Sequence, residues 1–254
     1  MFTFKDGGQI ALDWVDEIPS QNSNDQKPLL FITPGIGAGS DVGYLLNTCE
    51  YAKSHGFRIV IINYRVCSNI PLTSPKFFSS MSAYDLREPV DYIFNKHCID
   101  QQTKNRTRQV FYLGISFSGC ILSHFLAQEG ENSIFTAAAT CSSAMRTKEA
   151  VTGMKANLFG MYQTYYSLAL KKILVRASPA LQEHHLTHHN LNLEEELMKC
   201  KTVDDGNSII ARLVGLKSLD TYLSLSGQSN AIPYIKTPTI IYKKAFTVVL
   251  QANN

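Results

Sequence analysis

The chain contains no C-x-x-C pair, no basic field, no H-E-x-x-H helix and no apolar stretch long enough to cross a bilayer. Each absence removes a class of function. Six cysteines (Cys49, Cys67, Cys98, Cys120, Cys141 and Cys200) are scattered through apolar contexts. That pattern suits buried, reduced thiols rather than a disulfide framework or a zinc ribbon. Lys and Arg number 24 against 21 Asp and Glu, a net charge of +3, which is too small a balance for a nucleic-acid footprint. Met1 leads directly into Phe2-Thr3-Phe4-Lys5 without a basic or long apolar leader. We therefore expect a non-secreted protein, cytoplasmic or peripheral to an intracellular membrane. One sequon, Asn105-Arg106-Thr107, is too common a triplet to carry weight without an export signal.

What is present is enough apolar residue, 44% of 254, to bury a full core in a single domain over 1–254. Phe2 to Val15 alternates around Asp6-Gly7-Gly8 and predicts a hairpin. After a polar loop at Gln21 to Lys27, the runs Leu29–Thr33, Arg58–Tyr64, Gln109–Leu113, Ile134–Cys141 and Thr237–Lys243 read as strands. Helical patterns separate them. Asp41–His55 is expected to be capped by Ser40 or Asp41, Ala83–Lys96 to be strained or started at Pro89, and Gly119–Gln128 to close at Gly130. Strands alternating with helices define an α/β, mostly parallel sheet with an N-terminal antiparallel hairpin. Between the last two strands, helical patterns at Lys155–Val175 and Leu191–Lys199 predict an inserted helical cap over about 145–230.

Leu113-Gly114-Ile115-Ser116-Phe117-Ser118-Gly119 joins an apolar strand to a helix and reads as a nucleophile elbow. A serine hydroxyl is a weak nucleophile until a sharp turn exposes it beside a base and facing amide donors. Ser116 is the candidate nucleophile. Gly114 and Gly119 keep strand and helix close, while Ser118 stands where glycine is usual. The loop Thr33-Pro34-Gly35-Ile36-Gly37-Ala38-Gly39-Ser40 follows a strand where this architecture supplies a second oxyanion donor. Since Pro34 has no N–H, the expected pair of donors is the amides of Ile36 and Phe117, with Gly35 and Gly37 shaping the loop. The loop carries neither G-K-[ST] nor G-x-G-x-x-G spacing, which disfavours a phosphate site. The cluster Glu183-His184-His185-Leu186-Thr187-His188-His189 has two i, i+4 histidine pairs but no third ligand. We read it as a solvated polar face, with a zinc site or surrogate base as the alternative. The segment Ala156–Lys172 is aromatic and ends in lysines, fitting either a helix packed on the sheet or one that touches a membrane.

The order and spacing of Pro34–Ser40, Asn63–Cys67, Thr73–Lys76, Asp85–Arg87, Gly114–Gly119, Ala211–Tyr222 and Ile235–Ile241 resemble family four of the AB hydrolase superfamily. That family holds abhydrolase-domain proteins one and three, plant embryogenesis-associated proteins and YheT-like esterases. The resemblance spans roughly residues 2 to 242. It implies an α/β-hydrolase fold and a serine hydrolase of carboxylic esters (short-chain esters, acylglycerols or phospholipids) acting through an acyl-enzyme. It implies no cofactor and no metal, a small-molecule or lipid ester as substrate, no nucleic acid, and a monomer with peripheral membrane contact. Of the family's Ser, Asp and His triad, only the serine carries over, to Ser116. In the family the acid follows the strand here at Thr239–Tyr242 and the histidine follows one further strand. This sequence instead reads Lys243 to Asn254 without either. The expectation is therefore a hydrolase fold with its final strand missing and its activity impaired. The runner-up is a non-catalytic relative that binds lipid or a protein partner. His124, eight residues beyond Ser116 on the following helix, is about 12 Å away at the helical rise and a poor substitute base.

Overall fold

A computed structural model describes residues 1–18 and 26–243. Most of the polar loop at Gln21–Lys27, and the Phe246–Leu250 segment, lie outside the described residues. Among the described residues there are eight strands: β1 (Phe2–Thr3), β2 (Gln9–Ile10), β3 (Leu12–Trp14), β4 (Leu29–Thr33), β5 (Arg58–Ile62), β6 (Val110–Ile115), β7 (Ala137–Cys141) and β8 (Thr239–Tyr242). Six of them form one sheet in the order β3-β5-β4-β6-β7-β8. Only β3 runs antiparallel to its neighbour; every other pairing is parallel.

Apolar runs such as Leu29-Leu30-Phe31-Ile32 have no polar face because helices cover both sides of the sheet. Alternate residues point to opposite faces. Ile32, Ile59 and Ile61 pack with Leu45, Cys49 and Ala52 of α1 (Gly43–Ser54). Their neighbours Phe31, Val60 and Tyr112 pack on the other side with residues of α2 (Tyr84–His97) and α3 (Phe117–Glu129).

The hairpin around Asp6-Gly7-Gly8 is present, with Phe2 opposite Ile10, but its second limb does not continue through Val15. The chain leaves it at Ala11, and β3 joins the main sheet instead. The cause is a buried anchor. Arg65, 1% exposed, spans Asp85 with two hydrogen bonds of 3.0 Å. It also grips Asp6 at 2.9 and 3.1 Å, and its guanidinium lies 4.1 Å over the Phe4 ring. The hairpin tip is thus held against the loop after β5.

One helix start also differs from expectation, and the alternatives left open for a second are resolved. The residue before α1 is Val42 and gives no side-chain cap, because Ser40 donates to Asp13 at 2.6 Å instead. α2 begins at Tyr84, so Pro89 lies inside it rather than starting it; the proline removes one bond, to the Asp85 carbonyl, without ending the helix.

Between β7 and β8 lie α4 (Thr147–Ala156), α5 (Met161–His189), α6 (Leu193–Lys199), α7 (Val203–Leu213) and α8 (Leu219–Leu225). α5 is a single helix of 29 residues, longer than the pattern at Lys155–Val175, and it carries the histidine cluster on its last two turns. Those imidazoles stack along the helix, His184 on His188 at 4.4 Å and His185 on His189 at 5.1 Å. No group of three metal-binding side chains converges among the described residues.

His185 is not on a solvated face. It is 2% exposed, and neither ring nitrogen is paired, the nearby Pro75 carbonyl not being met at hydrogen-bonding geometry. Burial first, and then the charge of His189, hold its pKa below the ordinary histidine value. A buried imidazole with a lowered pKa stays neutral while its unfolded counterpart protonates. Stability is therefore lost as pH falls below about 6.5. His124 is lowered by burial in the same way and adds to the slope. Replacing His185 by Leu should flatten the fall in Tm between pH 7 and pH 5, as read by thermal unfolding across that range; an unchanged slope would exclude this account.

Candidate active site

The site lies at the carboxyl edge of the parallel strands, where this architecture places its ligands. Ser116 ends β6 and precedes α3 with φ 57° and ψ −122°. A non-glycine residue rarely occupies that region, and holding it there costs on the order of 1–3 kcal/mol. The surroundings enforce it. The Ser116 amide donates to the Cys141 carbonyl at 2.7 Å, and its own carbonyl accepts from Gly119 at 3.0 Å. A Cβ on Gly114 would come within 2.9 Å of the Gly119 Cα, so strand and helix cross too closely for a larger residue. A Cβ on Gly119 would lie 1.9 Å from Ser143 Oγ. Gln228, returning from α8, donates to the Gly119 carbonyl at 3.2 Å and to Thr140 Oγ1 at 2.9 Å, fixing the start of α3 from below. The Ser116 side chain is exposed.

The glycine loop meets this serine. The Cβ position of the buried Gly35 lies 3.4 Å from Ser116 Cβ and equally far from the Tyr44 hydroxyl, and that hydroxyl accepts the Gly35 N–H at 2.9 Å. Ser118, at the position usually glycine, is fully buried and donates to the Pro34 carbonyl. The departure from glycine therefore serves as a tie between elbow and loop. Phe117 is the first residue of α3, so its amide belongs to the helical N–H groups without an intrahelical acceptor, at the positive end of the helix dipole. Ile36 is half-buried and packs on the main core. Gly37 takes φ 68°, and a Cβ there would sit 2.9 Å from Ile173 of α5, so α5 packs this side chain against the loop.

Below the loop, Asn63 is fully buried and joins Asp13 at 2.8 Å to Ser68 at 2.7 Å, while Arg176 of α5 donates to the Val66 carbonyl at 3.1 Å. Sequence reasoning missed Tyr44, Asn63 and Gln228. Only the fold shows that a tyrosine nine residues past Gly35 turns back onto it.

The described residues bring no partner of the kind expected of a catalytic serine to this place. Among the described residues the Ser116 hydroxyl has no hydrogen-bond partner. His124 Nε2 is buried and unpaired, beside the backbone of Leu225 and Ser226 at the end of α8. His185 stands twelve residues past Ile173, about 18 Å along α5. The residue after β8 is Lys243, whose ammonium is held below the ordinary lysine value by burial. A cation therefore stands where the resemblance places a carboxylate. A hollow lined by Gln26 and Arg106–Gln109 lies at the opposite, amino edge of the strands and takes no part in the site.

A mostly parallel sheet, a strained exposed serine between strand and helix, and a glycine loop beside it define the α/β-hydrolase class. The α/β hydrolase GrgF from Penicillium sp. sh18 superposes with a TM-score of 0.51 at 14% identity, covering 96% of this chain and 78% of that one. Phospholipase ABHD3 of Mus musculus is 22% identical over 238 residues, 92% of this chain and 54% of that protein. Monoacylglycerol lipase of Saccharomyces cerevisiae is 25% identical over 231 residues, 87% of this chain and 48% of that protein. The chain spans about half the length of the curated relatives it matches. No family model matches it.

Proposed function

We propose that this chain is a serine hydrolase of carboxylic esters working through an acyl-enzyme, with Ser116 as nucleophile and the Ile36 and Phe117 amides as oxyanion donors. The observation that carries the reading is the backbone of Ser116: a non-glycine residue held at φ 57°, exposed, beside a glycine loop at the head of α3. In the first step Oγ bonds to the ester carbonyl carbon, the carbonyl pair moves to oxygen and is received by the two amides, and the hydroxyl proton passes to water or hydroxide. Collapse of that adduct breaks the carbon–oxygen bond to the alcohol, which leaves protonated. Water then cleaves the acyl-enzyme and releases the acid.

The substrates we infer are short-chain esters, acylglycerols or phospholipids, since relatives carry the names phospholipase and monoacylglycerol lipase. Residues 145–230 act as a cap within a single 1–254 domain, and the chain works as a monomer. Six unpaired cysteines, five of them buried, fit a reducing compartment, cytoplasmic or peripheral to an intracellular membrane. No helix among the described residues is long and apolar enough to cross a membrane.

The unpartnered Ser116 hydroxyl favours a second reading, a non-catalytic relative that binds lipid or a protein partner. A fluorophosphonate probe separates the two. The expected result is a slow adduct on the Ser116 peptide, faster at raised pH and absent in Ser116→Ala. No adduct at any pH leaves the binding reading.

A further inference from the structure

We propose that the outward face of α5, from Met161 to Lys172, docks on an anionic lipid surface; this rests on the reading of Ser116 as the nucleophile of a lipid-ester hydrolase. Met161, Tyr165 and Leu168 fall at i, i+4 and i+7, so they share one face. They are 68%, 76% and 63% exposed, and Phe159 in the turn before them is fully exposed. The opposite face of the same helix carries Leu170, Ile173 and Leu174, buried against the core. α5 is therefore apolar on both sides through its first half. A helix of that kind is either enclosed by protein or set against lipid; here one side is enclosed and the other open.

Charge selects the occupant. Residues 161–172 carry Lys171 and Lys172 and no Asp or Glu, whereas Lys148 and Lys155 of α4 are already paired with Asp220 and Asp204. Lys172, four residues after Leu168, is exposed and has no ion-pair partner among the described residues. Exposed aromatic and apolar side chains beside a cation suit the boundary between headgroups and acyl chains of an anionic leaflet. A second copy of this chain fits less well, because a two-fold contact through this face would set its cations against one another. Docking would hold the Gly37 loop, which Ile173 touches from beneath α5, about one helix diameter of 10 Å from the lipid.

The test is co-sedimentation of the whole 254-residue chain with vesicles of phosphatidylcholine alone and of phosphatidylcholine mixed with phosphatidylserine. Binding to the mixed vesicles, weakened by added salt, is expected. Tyr165→Ser with Leu168→Gln should reduce it about tenfold or more. Lys172→Glu, a surface change that leaves the core untouched, should weaken binding to the mixed vesicles only. No binding to either vesicle, or equal binding by the wild type and both variants, overturns the proposal. So does a concentration-dependent dimer that the Tyr165/Leu168 variant abolishes while vesicle binding stays absent. The fluorophosphonate adduct is measured separately in lipid-free solution: vesicle binding by a chain that forms no adduct supports the docking face and removes only the hydrolase reading.

Discussion

Replacing Arg65 with methionine should lower the free energy of unfolding by about 3–5 kcal/mol, seen as a lower urea midpoint. The size follows from what the guanidinium leaves behind. Asp85 is 3% exposed and loses both of its 3.0 Å bonds, so a buried carboxylate is stranded without a partner. Ser74, which accepts from Nη1 at 2.8 Å, loses its donor, and Asp6 no longer ties the hairpin tip to the sheet. Asp6 reports the grip: its partial burial favours the neutral form, yet hydrogen bonds from Arg65 and the Gly8 amide hold its pKa below the ordinary aspartate value. Lysine is no substitute, because a single ammonium cannot bridge two carboxylates in a fixed fork. Removing the stranded charge as well, in Arg65→Met with Asp85→Leu, should recover much of the loss. A single variant that costs less than about 1 kcal/mol would place this cluster with ordinary surface ion pairs and remove it as the anchor.

Ester turnover by the 254-residue chain should be on the order of a millionfold below that of a complete Ser, His, acid triad, about 8 kcal/mol of barrier. The proposed oxyanion donors at Ile36 and Phe117 and the exposed hydroxyl remain, but among the described residues no imidazole is hydrogen-bonded to Ser116 to take its proton. The rate should climb with pH as hydroxide assumes that role, and Ser116→Ala should remove what is left of the acyl-enzyme. A chromogenic acetate ester followed from pH 6 to pH 10 would check this. Turnover at an ordinary enzymatic rate, lost in Ser116→Ala, would mean that another group supplies the base.

Much of the architecture was legible because it rests on local pattern. The stretches Leu29–Ile32 and Ile59–Ile62 within β4 and β5 are apolar at every position, which only a doubly covered strand tolerates. The elbow was readable because small residues recur where a strand must turn sharply into a helix. Helix starts and the break in the hairpin were less legible. Ser40 is a good capping residue by type, but Asp13, far away in sequence, takes its hydroxyl. The aromatic segment at Ala156–Lys172 kept two readings open because exposure is not written in composition: Leu168 and Leu170 look alike in sequence, yet one is 63% exposed and the other 1%.

The sequence by itself determined the alternation of strands and helices and the serine between Gly114 and Gly119. Each of these depends on residue type and spacing along the chain, and short-range sterics and hydrophobic periodicity act at that range. Tertiary structure alone decided that Gly35 lies against Ser116, that Tyr44 and Ser118 fasten the loop, that His185 is buried rather than solvated, and that α5 sets Ile173 against the loop while its other face stays open. Those outcomes depend on contacts between residues far apart in the chain, and only the packing of the whole sheet brings them within a few ångströms.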